Sequence, residues 1–368
     1  MTQNAIDTET LRQWLEQGRP LIVLDVRTAA DRAEWAIPGS RHVDAYAALR
    51  ANDSQALKAV ELPNDVPIVT VCGAGKISQV AAEQLNARGL RAYSLAGGMQ
   101  AWSLAWNTAQ VALPHSRTRV VQVRRTGKGC LSYLIGADGE AAVIDAAVDA
   151  EVYLDLARQE GWRISAVLDT HIHADHLSRS RALAEQSGAT LYLPAQERIT
   201  FSFSPLVEGD TLAIGSARLT ALHTPGHTAE STSYLLDEQA LFTGDTLFLN
   251  AVGRPDLHAD QVAARARAHA LYASIQRLLA LPPETLVLPG HTSAPIPFDR
   301  QPIAATLDQV HAATALLRVS EGEFVEALLA RIPPTPPNHA RIIELNEAGA
   351  SVDNPTHLEA GANRCAIA

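Results

Sequence analysis

Apolar runs and amphipathic stretches alternate along the whole chain. The runs at residues 21–25 and 67–71 are almost continuously apolar and rich in β-branched residues, which is typical of buried strands. Residues 11–17 and 150–159 instead have the spacing of amphipathic helices, and Thr8 is a candidate cap for the first of them. This alternation predicts layered α/β structure rather than an all-helical or all-β fold.

The periodic pattern lapses once, between residues 107 and 117, and Pro114 lies in this stretch. Because 368 residues exceed the size of one ordinary domain, we expect two domains that are joined at the lapse. The predicted division is a first domain at residues 1–108, a linker at 109–117, a second domain at 118–345 and a C-terminal tail at 346–368.

Composition limits the classes of function. The formal net charge of -10 argues against a nucleic-acid or membrane-surface role, since proteins bind phosphate groups through Lys and Arg. No apolar run approaches the length of a membrane span, and the first residues lack the pattern of a secretory signal. Three scattered cysteines, at positions 72, 130 and 365, do not form a disulfide framework. These features predict a cytoplasmic enzyme, in which Cys130 is a small buried residue of a strand.

The densest chemistry lies at residues 170–176, which read Thr-His-Ile-His-Ala-Asp-His, directly after a strand-like run at 164–168. The alternating imidazoles of His171 and His173 would project from an extended strand end, and Asp175 and His176 would follow on the loop. Such a cluster can hold one metal ion or two.

Three later strand ends carry residues of the same kind beside glycine. They are residues 222–228 with His227, residues 240–246 with Asp245, and residues 286–292 with His291. A metal site between two sheet layers requires ligands from several strand ends that lie at the same edge of the sheets. The sequence therefore predicts a metal centre.

Residues 170–176 with His227, Asp245 and His291 resemble the complete ligand set of the metallo-β-lactamase superfamily, whose fold is an αββα sandwich. Related sites hydrolyse lactams, thioesters, lactones and RNA, so this resemblance does not give the reaction. Residues 250–257 resemble the Gly-Arg-x-Asp segment of persulfide dioxygenases, although Pro255 stands where that family commonly has Thr. Residues 336–342 are similar to the C-terminal segment of bacterial members.

The resemblance to persulfide dioxygenases implies one Fe(2+) ion per chain. His171, His227 and Asp245 would hold it, as two histidines and one carboxylate that leave three positions open. Arg254 and Asp256 would orient the substrate or a ligating histidine. Two zinc ions are the alternative, because the chain keeps every residue that a dinuclear hydrolase of the glyoxalase II kind uses. Four residues would support the iron ligands or bind the second zinc ion: His173, Asp175, His176 and His291.

Cys72 ends a predicted strand, in a loop whose backbone N–H groups converge just before a helix begins. Their dipoles favour a thiolate and a bound anionic sulfur group. With residues 24–27, 37–43 and 97–102, this loop resembles a rhodanese domain, which implies that Cys72 carries sulfur as a persulfide. Lys76 would add positive charge, and Ser78 would donate to the sulfur or cap the helix.

The two resemblances together imply a fused enzyme with an N-terminal rhodanese-like α/β domain and an αββα metallo-β-lactamase-fold domain. It would oxidise a small thiol persulfide, such as glutathione persulfide, with O2 to sulfite and thiol, and Cys72 would exchange sulfur with sulfite or thiosulfate. The alternatives are a dinuclear zinc thioester hydrolase with an attached sulfurtransferase domain, and a non-catalytic sulfur-relay or sensing protein. The thiol carrier, the direction of transfer and the role of Cys365 stay open. A homo-oligomer is expected, since dimers are the commonest assembly of soluble enzymes.

Overall fold

The computed structural model describes residues 4–114 and 116–368. Residues 1–3 of the predicted first domain and residue 115 of the predicted linker lie outside the described residues. Within the described part of the chain, no helix combines the length and the apolar character that crossing a lipid bilayer requires.

The first domain is built on a five-stranded parallel sheet with the strand order β1-β5-β4-β2-β3. Its central strands are buried because both faces are covered by helices, which explains their continuous apolar sequence. The strands are β1 (Ala5–Ile6), β2 (Ile22–Asp25), β3 (Arg41–His42), β4 (Ile68–Val71) and β5 (Ala92–Leu95). The helices are α1 (Thr8–Glu16), α2 (Ala29–Glu34), α3 (Tyr46–Arg50), α4 (Lys76–Ala87) and α5 (Gly98–Trp102).

Helix α1 begins at Thr8, three residues before the predicted start at residue 11. The side chain of Asp7 accepts a hydrogen bond from the backbone N–H of Thr10 at 2.7 Å and caps the helix. Thr8, the expected cap, is therefore the first helical residue. Leu11 turns inward and is completely buried.

The second domain contains two sheets that pack face to face. The seven-stranded sheet has the order β12-β11-β10-β9-β8-β7-β6, and the six-stranded sheet has the order β13-β14-β15-β16-β18-β19. The first sheet comprises β6 (Asn107–Val111), β7 (Arg119–Arg125), β8 (Cys130–Ala137), β9 (Glu140–Ile144), β10 (Arg163–Leu168), β11 (Thr190–Pro194) and β12 (Ser204–Leu206). The second comprises β13 (Thr211–Ile214), β14 (Ala217–His223), β15 (Thr232–Leu236), β16 (Ala240–Gly244), β18 (Leu286–Pro289) and β19 (Ala305–Thr306). A separate pair is formed by β17 (Val252–Gly253) and β20 (Ala366–Ile367).

Helices cover the outer faces of both sheets, and a shared apolar core fills the space between the sheets. Tyr133 of β8 and Phe242 of β16 meet edge to face in this core, with ring centroids 4.8 Å apart. This is the αββα sandwich that the resemblance implied, and that prediction is confirmed. The helices are α6 (Ala150–Glu160), α7 (Ser180–Ser187), α8 (Gln261–Leu279), α9 (Leu307–Ala313), α10 (Glu321–Ala330), α11 (His339–Ala348) and α12 (Thr356–Glu359), with a 3-10 helix at Ala315–Arg318.

Strand β6 occupies residues that the sequence analysis divided between the first domain and the linker. It pairs antiparallel with β7 along its whole length. Its sequence is largely polar, but Asn107, Ala109 and Val111 alternate as buried positions, and the Asn107 side chain accepts a hydrogen bond from Arg124 Nε at 2.7 Å. Because a strand that is buried through polar contacts has no apolar run in its sequence, the sequence analysis did not predict it.

The two domains are in direct contact. Phe298, from the loop after β18, packs into the apolar core of the first domain beside Trp102. In a second contact, Trp35 Nε1 of the first domain donates to the carbonyl oxygen of Thr126 of the second domain at 3.1 Å. The two domains are therefore held together by the packing of an apolar residue and by a buried hydrogen bond.

A buried ion-pair network joins the contact to the C-terminal tail. The guanidinium of Arg125 donates to the Ser103 carbonyl oxygen of the first domain at 2.7 Å and to Glu359 at 2.5 Å. Glu359 also accepts from Arg179 and from the backbone N–H of Leu177. Since Leu177 directly follows His176, this network links the domain contact to the predicted metal loop.

Candidate metal centre

The loop after β10, together with the segments that follow β14, β16 and β18, brings the predicted ligands to one edge of the sandwich. β16 and β18 are parallel neighbours, so Asp245 and His291 leave the sheet side by side. His227 comes from the turn between β14 and β15. All the predicted ligand residues are buried, with exposures of 1–4%. They are His171, His173, Asp175, His176, His227, Asp245 and His291.

Three of these residues form one cluster. His171 Nε2 and His227 Nε2 lie 3.9 and 3.6 Å from Asp245 Oδ2. His227 Nε2 and Asp245 Oδ2 are buried and have no hydrogen-bond partner among the described residues. Ligand atoms about 2 Å from one metal ion lie roughly 3 to 4 Å from each other. The cluster thus fits a metal ion, which would satisfy these buried lone pairs.

Hydrogen bonds on the far side of each ring turn the lone pairs toward the cluster. His227 Nδ1 donates to the carbonyl oxygen of Arg254 at 2.8 Å, so Nε2 keeps its lone pair. Thr170 donates its hydroxyl proton to Asp145 and is 2.9 Å from His171 Nδ1, so its oxygen accepts from that ring nitrogen. Both imidazoles are therefore held in the tautomer that a metal ligand requires.

Electrostatics favour the same protonation states. Burial lowers the pKa of His171 well below its usual value, and the neighbouring His173 lowers it further. Burial also lowers the pKa of His227. Burial raises the pKa of Asp245, but His291 outweighs this effect and keeps the carboxyl ionised. Two neutral imidazoles and a carboxylate are the forms in which these side chains bind metal.

His173 lies apart from this cluster. Its Nε2 atom is 3.3 Å from Asp145 Oδ1 and 3.9 Å from Asp169 Oδ1, and its ring packs against that of His171 with centroids 4.4 Å apart. Asp145 and Asp169 are buried and raise the pKa of His173 well above its usual value, against the opposing effect of burial. The attraction of two carboxylates explains why His173 is not directed at Asp245.

Asp175, His176 and His291 lie together with a residue that the sequence analysis did not assign to the site. This residue is Cys130, whose Sγ atom is 3.5 Å from Asp175 Oδ2 and 3.8 Å from His176 Nδ1. Burial raises the pKa of Cys130, but the nearby His176 lowers it, for a net value of about 6. Cys130 is buried in β8 as expected. The periodicity of a strand, however, contains no sign of its contact with the metal loop.

Arg254 and Asp256 are paired with each other. The Arg254 side chain is completely buried and makes two hydrogen bonds with Asp256, at 2.8 and 2.7 Å. The remaining N–H groups donate to the carbonyl oxygens of Pro333, Pro334 and Arg364. The guanidinium is thus engaged by Asp256 and by backbone carbonyl oxygens, whereas Asp256 also lines a second cavity. Only the Arg254 carbonyl reaches the cluster, through His227.

The C-terminal tail covers the centre. β20 pairs with β17, and the backbone N–H of Arg254 donates to the carbonyl oxygen of Cys365 at 3.0 Å. Asn363 Nδ2 donates to Asp175 Oδ2 at 3.0 Å. The tail residues Asn363 and Cys365 are therefore part of the site, and the sequence analysis gave neither of them a role.

A cavity of about 650 Å³ opens beside the cluster, and its lining includes His171, His173 and Asp169. Arg179 and Arg181 line its sides, and the Arg181 guanidinium stacks over Phe201 at 4.9 Å. This volume is in the range of sites for small organic molecules.

Cys72 has the surroundings that the sequence predicted. Its side chain is buried, and the backbone N–H of Ser78 in the first turn of α4 donates to Sγ at 3.3 Å. The Ser78 hydroxyl lies 3.4 Å from Sγ, while Gly75 in the left-handed conformation takes the cap position. Ser78 is thus a contact of the sulfur rather than the helix cap. Lys76 is exposed at the start of the same helix.

Comparisons with known proteins agree with these observations. The model of the metallo-beta-lactamase superfamily matches residues 125–291, and that of the rhodanese-like domain matches residues 7–105. The hydroxyacylglutathione hydrolase of Nitrosococcus oceani is 33% identical over 61% of this chain and 82% of its own length. The chain belongs to the metallo-beta-lactamase superfamily.

Two solved structures resemble this superfamily member. A metallo-beta-lactamase from Staphylococcus aureus is 30% identical, with a TM-score of 0.59, and the match covers 65% of this chain and 75% of that one. ETHE1 from Myxococcus xanthus is 27% identical, with a TM-score of 0.55 over 62% of this chain and 98% of that one. The resemblance stated from the motifs, a rhodanese-like domain followed by a metallo-beta-lactamase domain, is confirmed, and the likeness to ETHE1 supports the resemblance to persulfide dioxygenases.

Proposed function

We propose that this protein is a mononuclear iron persulfide dioxygenase coupled to a rhodanese sulfurtransferase. The observation that carries the proposal is the position of His173. A dinuclear hydrolase would use this residue beside His171, whereas here Asp145 and Asp169 hold it away from the cluster. The remaining set of His171, His227 and Asp245 is typical of non-haem iron oxygenases. The structural likeness to ETHE1, a persulfide dioxygenase, supports the same interpretation.

In the proposed reaction, RSSH + O2 + H2O gives RSH, sulfite and two protons. Bound Fe(2+) would supply the coordination and activation of O2 and of the terminal sulfur. His171, His227 and Asp245 would hold the metal from one side and leave the other side to the reactants. The 650 Å³ cavity beside His171 would receive the organic part of a small thiol persulfide, such as glutathione persulfide.

The rhodanese-like domain would use the sulfite. Cys72 persulfide would transfer its outer sulfur to sulfite, which gives thiosulfate and the Cys72 thiolate, or the reverse reaction would form the persulfide. The N–H and the hydroxyl of Ser78, both within 3.4 Å of Sγ, would stabilise the thiolate that leaves. Lys76 would attract the anionic sulfur donor.

A second candidate function is thioester hydrolysis at two zinc ions. It is favoured by the retention of Asp175, His176 and His291 and by the similarity to hydroxyacylglutathione hydrolase. The third hypothesis, a non-catalytic relay or sensor, accounts less well for the complete ligand cluster and for the ordered Cys72 loop.

The proposed location is the cytoplasm. The three cysteines are unpaired and buried, which suits a reducing compartment. We also propose a homo-oligomer, which sedimentation of the purified protein would test.

The deciding experiment is metal analysis of protein prepared without oxygen, followed by oxygen uptake when glutathione persulfide is added. We expect about one iron per chain and uptake that requires the persulfide. The Asp245→Ala variant should lose both the metal and the uptake, and a hydroxyacylglutathione serves as the rival substrate. Two zinc ions per chain, with thioester hydrolysis and no oxygen uptake, would overturn the proposal.

A further inference from the structure

Asp175 belongs to the position where a second metal ion would bind, but both of its oxygens already have protein partners. His176 Nδ1 donates to Oδ1 at 3.0 Å. Asn363 Nδ2 donates to Oδ2 at 3.0 Å, and the thiol of Cys130 lies 3.5 Å from the same atom. The carboxylate is 4% exposed, so water does not compete for these contacts.

His291, another residue of that position, lies close to a carboxylate at each ring nitrogen, and its Nδ1 atom makes a hydrogen bond. Its Nδ1 atom is 2.5 Å from Asp245 Oδ1, and its Nε2 atom is 2.9 Å from Asp175 Oδ2. The ring therefore bridges two carboxylates. Two buried ring nitrogens of the second position, His176 Nε2 and His291 Nε2, have no hydrogen-bond partner among the described residues.

The two residues that complete this network come from distant parts of the sequence. Cys130 begins β8 and is 1% exposed. Asn363 lies in the tail and is 7% exposed, and its side-chain oxygen accepts from the backbone N–H of Cys365 at 2.8 Å. This bond fixes the amide so that its NH2 group is directed at Asp175. The tail thus presents a donor, and not a further ligand, to the carboxylate.

We propose that Cys130 and Asn363 restrict the centre to one metal ion, because they hold Asp175 in a hydrogen-bonded network where a second ion would bind. The inference rests on the proposed mononuclear function and names the residues that determine the metal stoichiometry. A second ion would have to displace the Asn363 amide and the Cys130 thiol and break the contact between Asp175 and His291.

Equilibrium dialysis of the metal-free full-length protein against Zn(II), with metal counted per chain, tests the inference. We expect one ion in the unaltered protein and two in the double variant Cys130→Ala/Asn363→Ala. The isosteric Asn363→Asp variant replaces the hydrogen-bond donor by a carboxylate ligand and should also bind two metal ions. It keeps the test valid if the double variant does not fold. Asn86→Ala removes an amide in the first domain, away from the metal centre, so it should stay at one.

The outcomes separate this inference from the proposed function. If the double variant and Asn363→Asp both bind one ion while the unaltered protein binds one and consumes oxygen, only the inference fails. Two ions in the unaltered protein, without oxygen uptake, would overturn the mononuclear function and the inference with it. A thiolate charge-transfer band on addition of Co(II) to the unaltered protein would show that Cys130 is a ligand, which also contradicts the inference.

Discussion

His227 donates a hydrogen bond from Nδ1 to the carbonyl oxygen of Arg254, and this 2.8 Å contact sets the direction of the metal-facing lone pair. The carbonyl is in turn held in place because the Arg254 side chain is anchored to Asp256 and the tail. The Gly-Arg segment, which the sequence analysis expected to orient the substrate or a ligating histidine, thus orients His227 through its backbone.

Substitution of Gly253 by Ala should disrupt this support. A Cβ atom at Gly253 would lie 2.0 Å from the carbonyl oxygen of Asp245 and 3.0 Å from His227 Cβ, so the segment must move. We expect at least a tenfold loss of metal affinity, measured by competition with a chelator. Gly322→Ala is the matched control, since a Cβ there meets nothing within 4 Å. Equal affinity in the two variants would contradict this explanation.

Variants of two histidines distinguish a ligand from a neighbour. His227→Gln should reduce bound iron to well below one per chain, because it removes a lone pair of the cluster. His173→Gln should retain about one, since that ring contacts Asp145 and Asp169 rather than Asp245. Iron analysis of both proteins is the measurement. Loss of iron from His173→Gln to the level of His227→Gln would place His173 among the ligands.

Cys72→Ser should abolish sulfur transfer from thiosulfate to cyanide and leave the iron content unchanged. Ser78→Ala keeps the N–H that reaches Sγ but removes the hydroxyl at 3.4 Å, so a rate loss of about tenfold is expected for one hydrogen bond. Initial rates of thiocyanate formation measure both effects. Sulfur transfer by Cys72→Ser at the original rate would exclude Cys72 as the carrier.

Glu359 should make the fold sensitive to acid. Burial raises its pKa, but Arg125 and Arg179 outweigh this and lower it from 4.5 to about 2. A lowered folded-state pKa stabilises the fold above the unfolded value of 4.5, by about 3 kcal/mol at neutral pH, and this contribution is lost as the pH falls toward 2.

Urea unfolding at several pH values measures this contribution. Glu359→Gln should be less stable than the unaltered protein at pH 7, because two buried guanidinium groups lose their carboxylate. Its stability should also fall less steeply between pH 4.5 and pH 2. Parallel slopes for the two proteins in that window would show that another group is responsible.

The sequence was sufficient for the order of the domains, the αββα layers and the strand ends that carry the ligands. These features follow from local periodicity, which residues 164–176 show clearly. The sequence did not indicate which side chain each site residue contacts. His171 and His173 are equivalent in the motif, and the approach of Asp145 and Asp169 to His173 separates them.

Long-range contacts account for the other differences. Asn363 meets Asp175 across 188 positions of sequence, and no pattern along the chain indicates that contact. The same holds for Cys130, which resembles any small buried strand residue until the loop with His176 is folded against it. Strand β6 was missed for a related reason, since Asn107 is buried by its bond to Arg124.

The pairing of β20 with β17 also has a consequence for biosynthesis. The ribosome releases the loop with Asp245 long before it releases Asn363 and the strand at Ala366–Ile367. Domains fold as their residues emerge, so the sandwich can form while this edge is still uncovered. The nascent chain would thus expose its ligands to the surrounding metal ions until β20 pairs with β17, and the metal ions present during translation would decide which ion is enclosed.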